Sequence, residues 1–446
     1  MKSYKSPLAT LSLIWFGFAN AQDPTSFTVA AAEDYSVSHS IKVLNSALDM
    51  EIAQKKIWET TAMGLPQVNA EGTFQNLLYI PTTVVDASLF NPSAPPGEVM
   101  AFQMGQKYNV SAAINVSQLL FDGSYIIGLQ FAKFYRKMSE TQVELTKQEV
   151  KQLTREAYYQ VLVAQKNLQL MDSLIPITEK MVNQMKVIRD AGLSDNDPVD
   201  QIVLAYNRLL ASRSSASRQV EIAMSLLKMQ MQYDPEKPLE VTGTFDELLQ
   251  EVRSEASGLD KVGIQSNSSY VMLEQQLIAN TYALKNEKAS YLPSLGAFFM
   301  HSQNAYRNQF NFLNNQDWYP TTIWGISLKV PVTSSGMKMA QVKQAEIRVE
   351  QGANNLENLE TNLEFAALRI QLSIQDVLET LKLEEANIKL AQKLYQNSLQ
   401  KESIGTEGAM MATQLQAQAL NAQGSYIGSA MKLFQLKIEL DKLYNQ

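Results

Sequence analysis

For metal or nucleophilic chemistry the chain of 446 residues offers two histidines, His39 and His301, and no cysteine. A zinc centre or a Ser-His-Asp triad would rest on one of two histidines far apart in sequence. No Gly-rich phosphate loop or nucleophile elbow accompanies either. Without cysteine there is no disulfide, thiolate metal site, catalytic thiol or lipidated N-terminal Cys. Nineteen methionines could suggest soft-metal ligation. Met224, Met229, Met231 and Met431, however, stand at helical spacing, which fits core packing. An exported hydrolase would need a polar catalytic cluster that these residues do not form. The reading is therefore non-enzymatic, with no cofactor and no metal.

The first residues have the order of an export signal: Lys2 and Lys5, an apolar run from Leu8 to Phe18, then Ala19-Asn20-Ala21. Residues 1–21 are expected to be removed. The formal charge of -7 then becomes -9, since the segment carries two lysines and no acid. A mildly acidic chain argues against nucleic acid as partner. Beyond residue 21 no run of 18 apolar residues offers a membrane-spanning helix. An exported chain of this kind is periplasmic, secreted, or a β-barrel of an outer membrane.

The chain reads as one unit written twice. Leu65-Pro66-Gln67-Val68 recurs as Leu292-Pro293-Ser294-Leu295. Gly123 opens a helix with Ala132 nine residues on, and Gly336 does the same with Ala345. Gly123 to Gly192 and Gly336 to Gly405 both span 69 residues, whereas Pro66 to Gly123 is 57 and Pro293 to Gly336 is 43. The helical part keeps its length and the preceding part varies. Leu153, Ala157, Val161, Ala164, Leu168, Met171 and Ile175 step by three or four, as do Leu356, Leu359, Leu363, Ala366, Ile370, Ile374, Val377 and Leu381. Each is an amphipathic helix, about 100 Å long at 1.5 Å per residue. Pro176 must bend the first or divide it into shorter helices.

Before each rod the period changes to two. Val68, Ala70, Gly72, Phe74, Leu78 and Ile80 alternate with polar residues in 67–80, and Tyr108, Val110, Ala112, Ile114 and Val116 do so in 107–118. Trp324, Ile326, Leu328 and Val330 alternate with Gly325, Ser327 and Lys329. The fourth segment, 293 to about 303, is less clean, with Phe298 and Met300 on the wrong side. These are strands with one apolar and one polar face, of the roughly 9–11 residues that cross a bilayer. Phe74, Tyr79, Tyr108, Phe299, Tyr306, Trp318, Tyr319 and Trp324 are placed near the outer ends, as in an interfacial girdle. Four strands cannot close a barrel, and an open edge cannot face lipid. Either they form a small soluble sheet or several chains contribute four each. Segments 82–105, with Pro92, Pro95, Pro96 and Gly97, and 309–320 suit outer loops.

The Leu-Pro starts at 65–66 and 292–293, the run from Gly325 to Val332 continuing through Gly336 to Ala345, and the turns at 191–193 and 404–406 together resemble the TolC-like outer-membrane efflux protein family, over nearly all of 37–444. The resemblance implies a mainly α protein with a membrane β-barrel portion: a homotrimer in which four strands per protomer share a 12-stranded barrel and long helices form an α-helical barrel in the periplasm. Under it the rods are about 123–191 and 336–404, with shorter helices at 37–63, 266–291, 198–232 and 408–444. Repeat 1 is 37–232, the belt 233–265 and repeat 2 266–444. The implied activity is a passive channel-tunnel for substrates delivered by an inner-membrane transporter and a periplasmic adaptor, embedded in outer-membrane lipid.

The family's adaptor-docking tips correspond to Ala191, Gly192 and Leu193 and to Ile404, Gly405 and Thr406, where glycine also serves plain turn geometry. Family members often narrow the periplasmic entrance with aspartates just after the second turn. Here those positions read Met411 and Gln414, with Glu407 nearer the turn. The acids Asp195, Asp197 and Asp200 follow the first turn instead. Either they build a charged constriction, or the entrance is closed mainly by packing of Met410 and Met411; the plainer role of Asp195 and Asp197 is to cap a helix expected to start at Pro198. The other class of reading is a soluble periplasmic coiled-coil adaptor or scaffold with a small β-domain, which the duplicated strand pairs disfavour.

Overall fold

The computed structural model describes residues 25–192, 195–257, 263–312, 317–403 and 409–445. The expected export signal lies outside them. In chain order the elements are β1 (Ser26–Phe27), α1 (Val29–His39), α2 (Ile41–Ala62), β2 (Gln67–Asn76), β3 (Thr82–Asp86), β4 (Val99–Gln103), β5 (Tyr108–Phe121), α3 (Gly123–Asp190), α4 (Asn196–Met231), β6 (Glu240–Val241), α5 (Phe245–Ser257), α6 (Ser268–Ala289), β7 (Ser294–Arg307), β8 (Tyr319–Lys329), α7 (Met337–Ser403) and α8 (Ala409–Tyr444). Among the described residues no helix is long and apolar enough to cross a membrane.

Helices of corresponding order have matching lengths. α2 and α6 are 22 residues each, α3 and α7 are 68 and 67, and α4 and α8 are 36 each. α3 runs unbroken through Pro176. The missing proline N–H leaves the i−4 carbonyl, that of Asp172, without its helical donor, and two residues on Thr178 is fully packed, its hydroxyl donating to Leu174 O at 2.9 Å.

The contacts divide the chain into two units. One holds the residues up to Ser38, Leu153–Glu255 and Thr380–Phe434. Its core surrounds Tyr158, fully buried, whose hydroxyl donates to Phe27 O at 3.0 Å and accepts from Gly243 N at 3.2 Å. β1 and β6 pair in parallel beside it, and Phe27 sits edge-on to Tyr35 and Tyr233. α5, acidic at its first turn as a helix N-terminus favours, buries Phe245, Leu248, Leu249 and Val252. Phe245 and Tyr159 both meet Phe434, at 5.8 and 5.5 Å between centroids. The buried Glu33 accepts from Arg155 Nε at 2.7 Å.

The other unit, His39–Gln152, Ala256–Glu379 and Gln435–Gln446, carries the sheet. The Ser40 hydroxyl accepts from Val43 N at 3.4 Å and starts α2. Asn267 starts α6 by accepting from Ser269 N at 2.9 Å, while its amide donates to Leu443 O at 3.0 Å. β2, β5, β7 and β8 form one antiparallel four-stranded sheet in that order.

Several boundaries depart from the sequence reading. The helix expected from 37 is two, α1 and α2, because Ser40 takes an extended conformation and caps the second. β2 stops at Asn76, so Leu78 and Ile80 lie beyond it. The segment 82–105 is not a plain loop: Thr82–Asp86 pairs with Val99–Gln103 as a ribbon, with the prolines confined to its tip. α4 begins at Asn196, two residues before Pro198, so the proline occupies the third helical position, still inside the turn whose N–H groups have no helical acceptor.

Candidate channel-forming surfaces

The registers assign every strand residue to one of two sheet faces. One face carries Val68, Ala70, Gly72 and Phe74 of β2, then Val110, Ala112, Ile114 and Val116 of β5. It continues through Leu295, Ala297 and Phe299 of β7 to Trp324, Ile326 and Leu328 of β8. The other carries Gln67, Asn69, Glu71, Thr73, Asn109, Ser111, Asn115, Ser117, Ser302, Asn304 and Ser327. The Asn115 amide donates to the Glu71 carboxylate across this polar face. Strands of 10, 14, 14 and 11 residues match what a tilted crossing needs.

The apolar face is open in the protomer: Trp324 is 77% exposed, Val68 65% and Ile326 62%. So are the edges. Among the described residues β2 pairs only with β5 and β8 only with β7, leaving a row of backbone donors and acceptors along each outer side. An apolar surface bounded by two open edges is what a larger assembly or a lipid phase must cover.

Phe298 and Met300 lie on the polar face, with Ile323 beside them. The Phe298 ring covers its cross-strand partner Gly325, where an added Cβ would come within 2.8 Å of it. The irregularity of this strand thus has a local packing reason. Conversely, His301, Gln303 and Thr322 fall on the apolar face, where His301 Nδ1 and Thr322 Oγ1 are 2.8 Å apart. Among the described residues no group of three His, Cys, Asp or Glu could hold a metal ion.

The expected girdle is partly displaced. Phe74 stacks on Tyr108 and meets Phe310 at the hairpin end, and Tyr306 lies against Tyr319. Phe299 and Trp324 are register partners halfway along β7 and β8, not at their ends. Period-two patterning fixes the face of a side chain but not its height along the strand.

At the far end of α3, Ala191 and Gly192 form a turn with Gly192 at φ 74°, the left-handed conformation that glycine adopts without strain. Leu193, Ile404, Gly405, Thr406 and Glu407 lie outside the described residues. Asp195 precedes α4 in extended conformation without a side-chain cap hydrogen bond, and Asp197 and Asp200 are exposed in its first turns. Behind them Met181, Val182, Met185, Val199, Ile202 and Ala412 pack as one buried cluster, flanked by Ile188, Val203, Tyr206 and Leu399. Met410, Met411 and Gln414 remain exposed in the protomer. The structure therefore brings Ala191, Gly192 and the three aspartates to one tip, and leaves Met410 and Met411 at the surface of the single chain.

Sequence reasoning missed the strand–helix junctions. Tyr125, two residues after Gly123, donates its hydroxyl to Thr61 O at 3.3 Å and covers Gly64. Lys338, two residues after Gly336, donates to Ser290 O and lies over the Tyr291 ring at 5.5 Å. The signal was available as Gly64-Leu65-Pro66 against Tyr291-Leu292-Pro293.

No family model matches the chain. It is 23% identical over 223 residues to the proteases secretion protein PrtF of Dickeya chrysanthemi, covering 49% of the chain and 47% of that protein. It is 24% identical over 252 residues to the outer membrane protein TolC of Vibrio cholerae, covering 56% of each. The alignments thus span about half the length of these curated relatives. In three dimensions the likeness is wider. The outer membrane channel CmeC of Campylobacter jejuni superposes with a TM-score of 0.71 at 14% identity, over 93% of this chain and 85% of that one. Four strands of membrane length, helices of nearly 70 residues and these likenesses together make the chain TolC-like: it carries the fold of the outer-membrane channel proteins.

Proposed function

We propose that three copies form an outer-membrane channel-tunnel, a passive exit for substrates handed over by an inner-membrane transporter through a periplasmic adaptor. The observation that carries this reading is the sheet: four strands with an open apolar face and two open edges, β2 and β8. Pairing β8 of one copy with β2 of the next closes twelve strands and removes every edge. The apolar face then meets outer-membrane lipid, and the polar face lines a water-filled path. The long helices continue as a helical tube in the periplasm, with 233–265 as its belt. Nearly equal helix lengths in corresponding order support an internal duplication, 37–232 and 266–444. Transport needs no chemistry from this chain, and no nucleic acid takes part.

The tips at Ala191-Gly192-Leu193 and Ile404-Gly405-Thr406 are the adaptor's docking points. Asp195, Asp197 and Asp200, with Glu407, supply negative charge at the periplasmic entrance. Met410, Met411 and Gln414, exposed in one chain, meet their counterparts across the axis. The native mass of protein extracted from outer membranes in detergent tests the assembly. Three copies are expected; a soluble monomer would return the chain to a periplasmic scaffold.

A further inference from the structure

The two strand–helix junctions differ in a way that a shared barrel does not require. At the first, the aromatic ring is on the helix (Tyr125) and the small residue on the chain entering the strand (Gly64). At the second the ring has moved to the entering chain (Tyr291), and the helix presents Lys338 over it. Beside this pair lies a cavity of about 470 Å³ lined by Lys288, Tyr291, Met339, Val342, Lys343 and Glu346. Lys288 and Lys343 both reach Glu346, at 3.4 and 3.5 Å, and keep 55% and 69% of their side chains exposed. Two ammonium groups thus flank one carboxylate, and that of Lys338 lies over the Tyr291 ring at the edge of the same cavity.

Helical phase gives the side on which the cavity opens. Counted from Gly123, Ser124, Tyr125 and Gly128 border a cavity whose sheet residues are mostly of the polar face, Gln67, Ser117, Phe298 and Ser327, with Gln118 and Ala297 reaching it from the other. Counted likewise from Gly336, Met339, Val342, Lys343 and Glu346 lie about 145° further round the helix at 100° per residue. They therefore share the side of the apolar face, just beyond exposed Ile326, Leu328 and Val330.

We infer that this junction is a binding site for the phosphate-bearing headgroup of an anionic phospholipid in the periplasmic leaflet. Lys288 and Lys343 contact the phosphate, and Lys338 adds positive charge from its place over Tyr291. Tyr291, Met339 and Val342 lie along the acyl chains. Long lysine stems over apolar surface with ammonium groups at headgroup level are the physics of an interfacial anchor. The inference rests on the outer-membrane reading and adds the lipid's charge and the site's residues.

The test uses full-length protein purified from outer membranes, with phosphatidylglycerol, phosphatidylcholine or inorganic phosphate added in detergent. Thermal unfolding and retained lipid by native mass spectrometry are the readouts. Phosphatidylglycerol is expected to raise Tm by about 3 °C or more and to stay bound, whereas the other two do neither. Lys288→Gln with Lys343→Gln should lose at least half of the rise, and Lys288→Arg with Lys343→Arg should keep it. Equal responses to both lipids, an equal response to inorganic phosphate, or an undiminished rise in the Gln variant would each overturn the site. Should the Gln variant not accumulate, the Arg variant and wild-type lipid selectivity decide alone. Wild-type protein missing from outer membranes would refute the channel reading itself; protein present there without lipid selectivity refutes only this site.

Discussion

The Tyr125 hydroxyl stands where a side chain on Gly64 would have to go: a Cβ there would lie 2.4 Å from it. The contact closes the first junction between α2, the entry to β2 and the start of α3, and it joins residues 61 positions apart. Gly64→Val is predicted to destabilise by about 1–3 kcal/mol through overpacking, read as a fall in Tm. Adding Tyr125→Ala should recover part of the loss, since the obstructing ring is then gone. Additive losses in the double variant would show that Gly64 is needed for its backbone alone.

Glu33 is buried and paired with Arg155 at 2.7 Å, 122 residues away. Removing one partner leaves the other charge in a poorly solvated place. Arg155→Met alone should cost about 3–5 kcal/mol, and adding Glu33→Leu should restore much of it. A single variant with wild-type thermal stability would show the pair to be solvated in the working protein.

Gly192 separates turn geometry from adaptor docking. Its φ of 74° makes Gly192→Ala strained by roughly 1–2 kcal/mol, while Gly192→Asn keeps the left-handed turn at lower cost. Among the described residues, chain neighbours aside, no atom lies within 4 Å of a Cβ built there. If the tip is a docking point, Gly192→Asn should fold normally yet lose efflux in cells. Full efflux with Gly192→Asn and loss with Gly192→Ala would assign the glycine to the turn.

Asp197 sits in the first turn of α4 and Asp200 one turn on, both exposed, with Asp195 preceding them. Changing all three to Asn is predicted to weaken cation preference in planar bilayers without changing the amount of trimer. Unchanged selectivity would remove these residues from the entrance.

Much of this architecture is legible in the sequence because two periods dominate it. Alternation assigned Val68, Ile114 and Trp324 to one face and Asn69, Asn115 and Ser327 to the other, as the registers have it. The helical steps reach Ile175 and leave a bent rod and shorter helices both open at Pro176, where α3 in fact continues unbroken. The ribbon of 82–86 with 99–103 was hidden, since five-residue strands separated by prolines read as loop. α1 was hidden because Ala30, Ala31 and Ala32 give little apolar periodicity, and its anchor is the distant Arg155. The height of Phe299 and Trp324 along the strands followed only from cross-strand pairing. Tyr125 on Gly64 and Lys338 over Tyr291 are contacts between distant segments, which periodicity cannot express. Of the tips, Gly192 was legible as a left-handed turn, whereas Gly405 lies outside the described residues.

The central claim is that β8 of one copy pairs with β2 of the next, and cysteine cross-linking tests it most directly. The chain has no cysteine of its own, so pairs can be placed on a clean background. Positions from Gln67 to Gln75 are combined with positions from Tyr319 to Lys329, and oxidation in isolated outer membranes is followed by denaturing electrophoresis. Pairs in register should give covalent dimers and trimers, and each single variant only monomers. Monomers throughout, from protein shown to be in that membrane, would contradict the shared barrel.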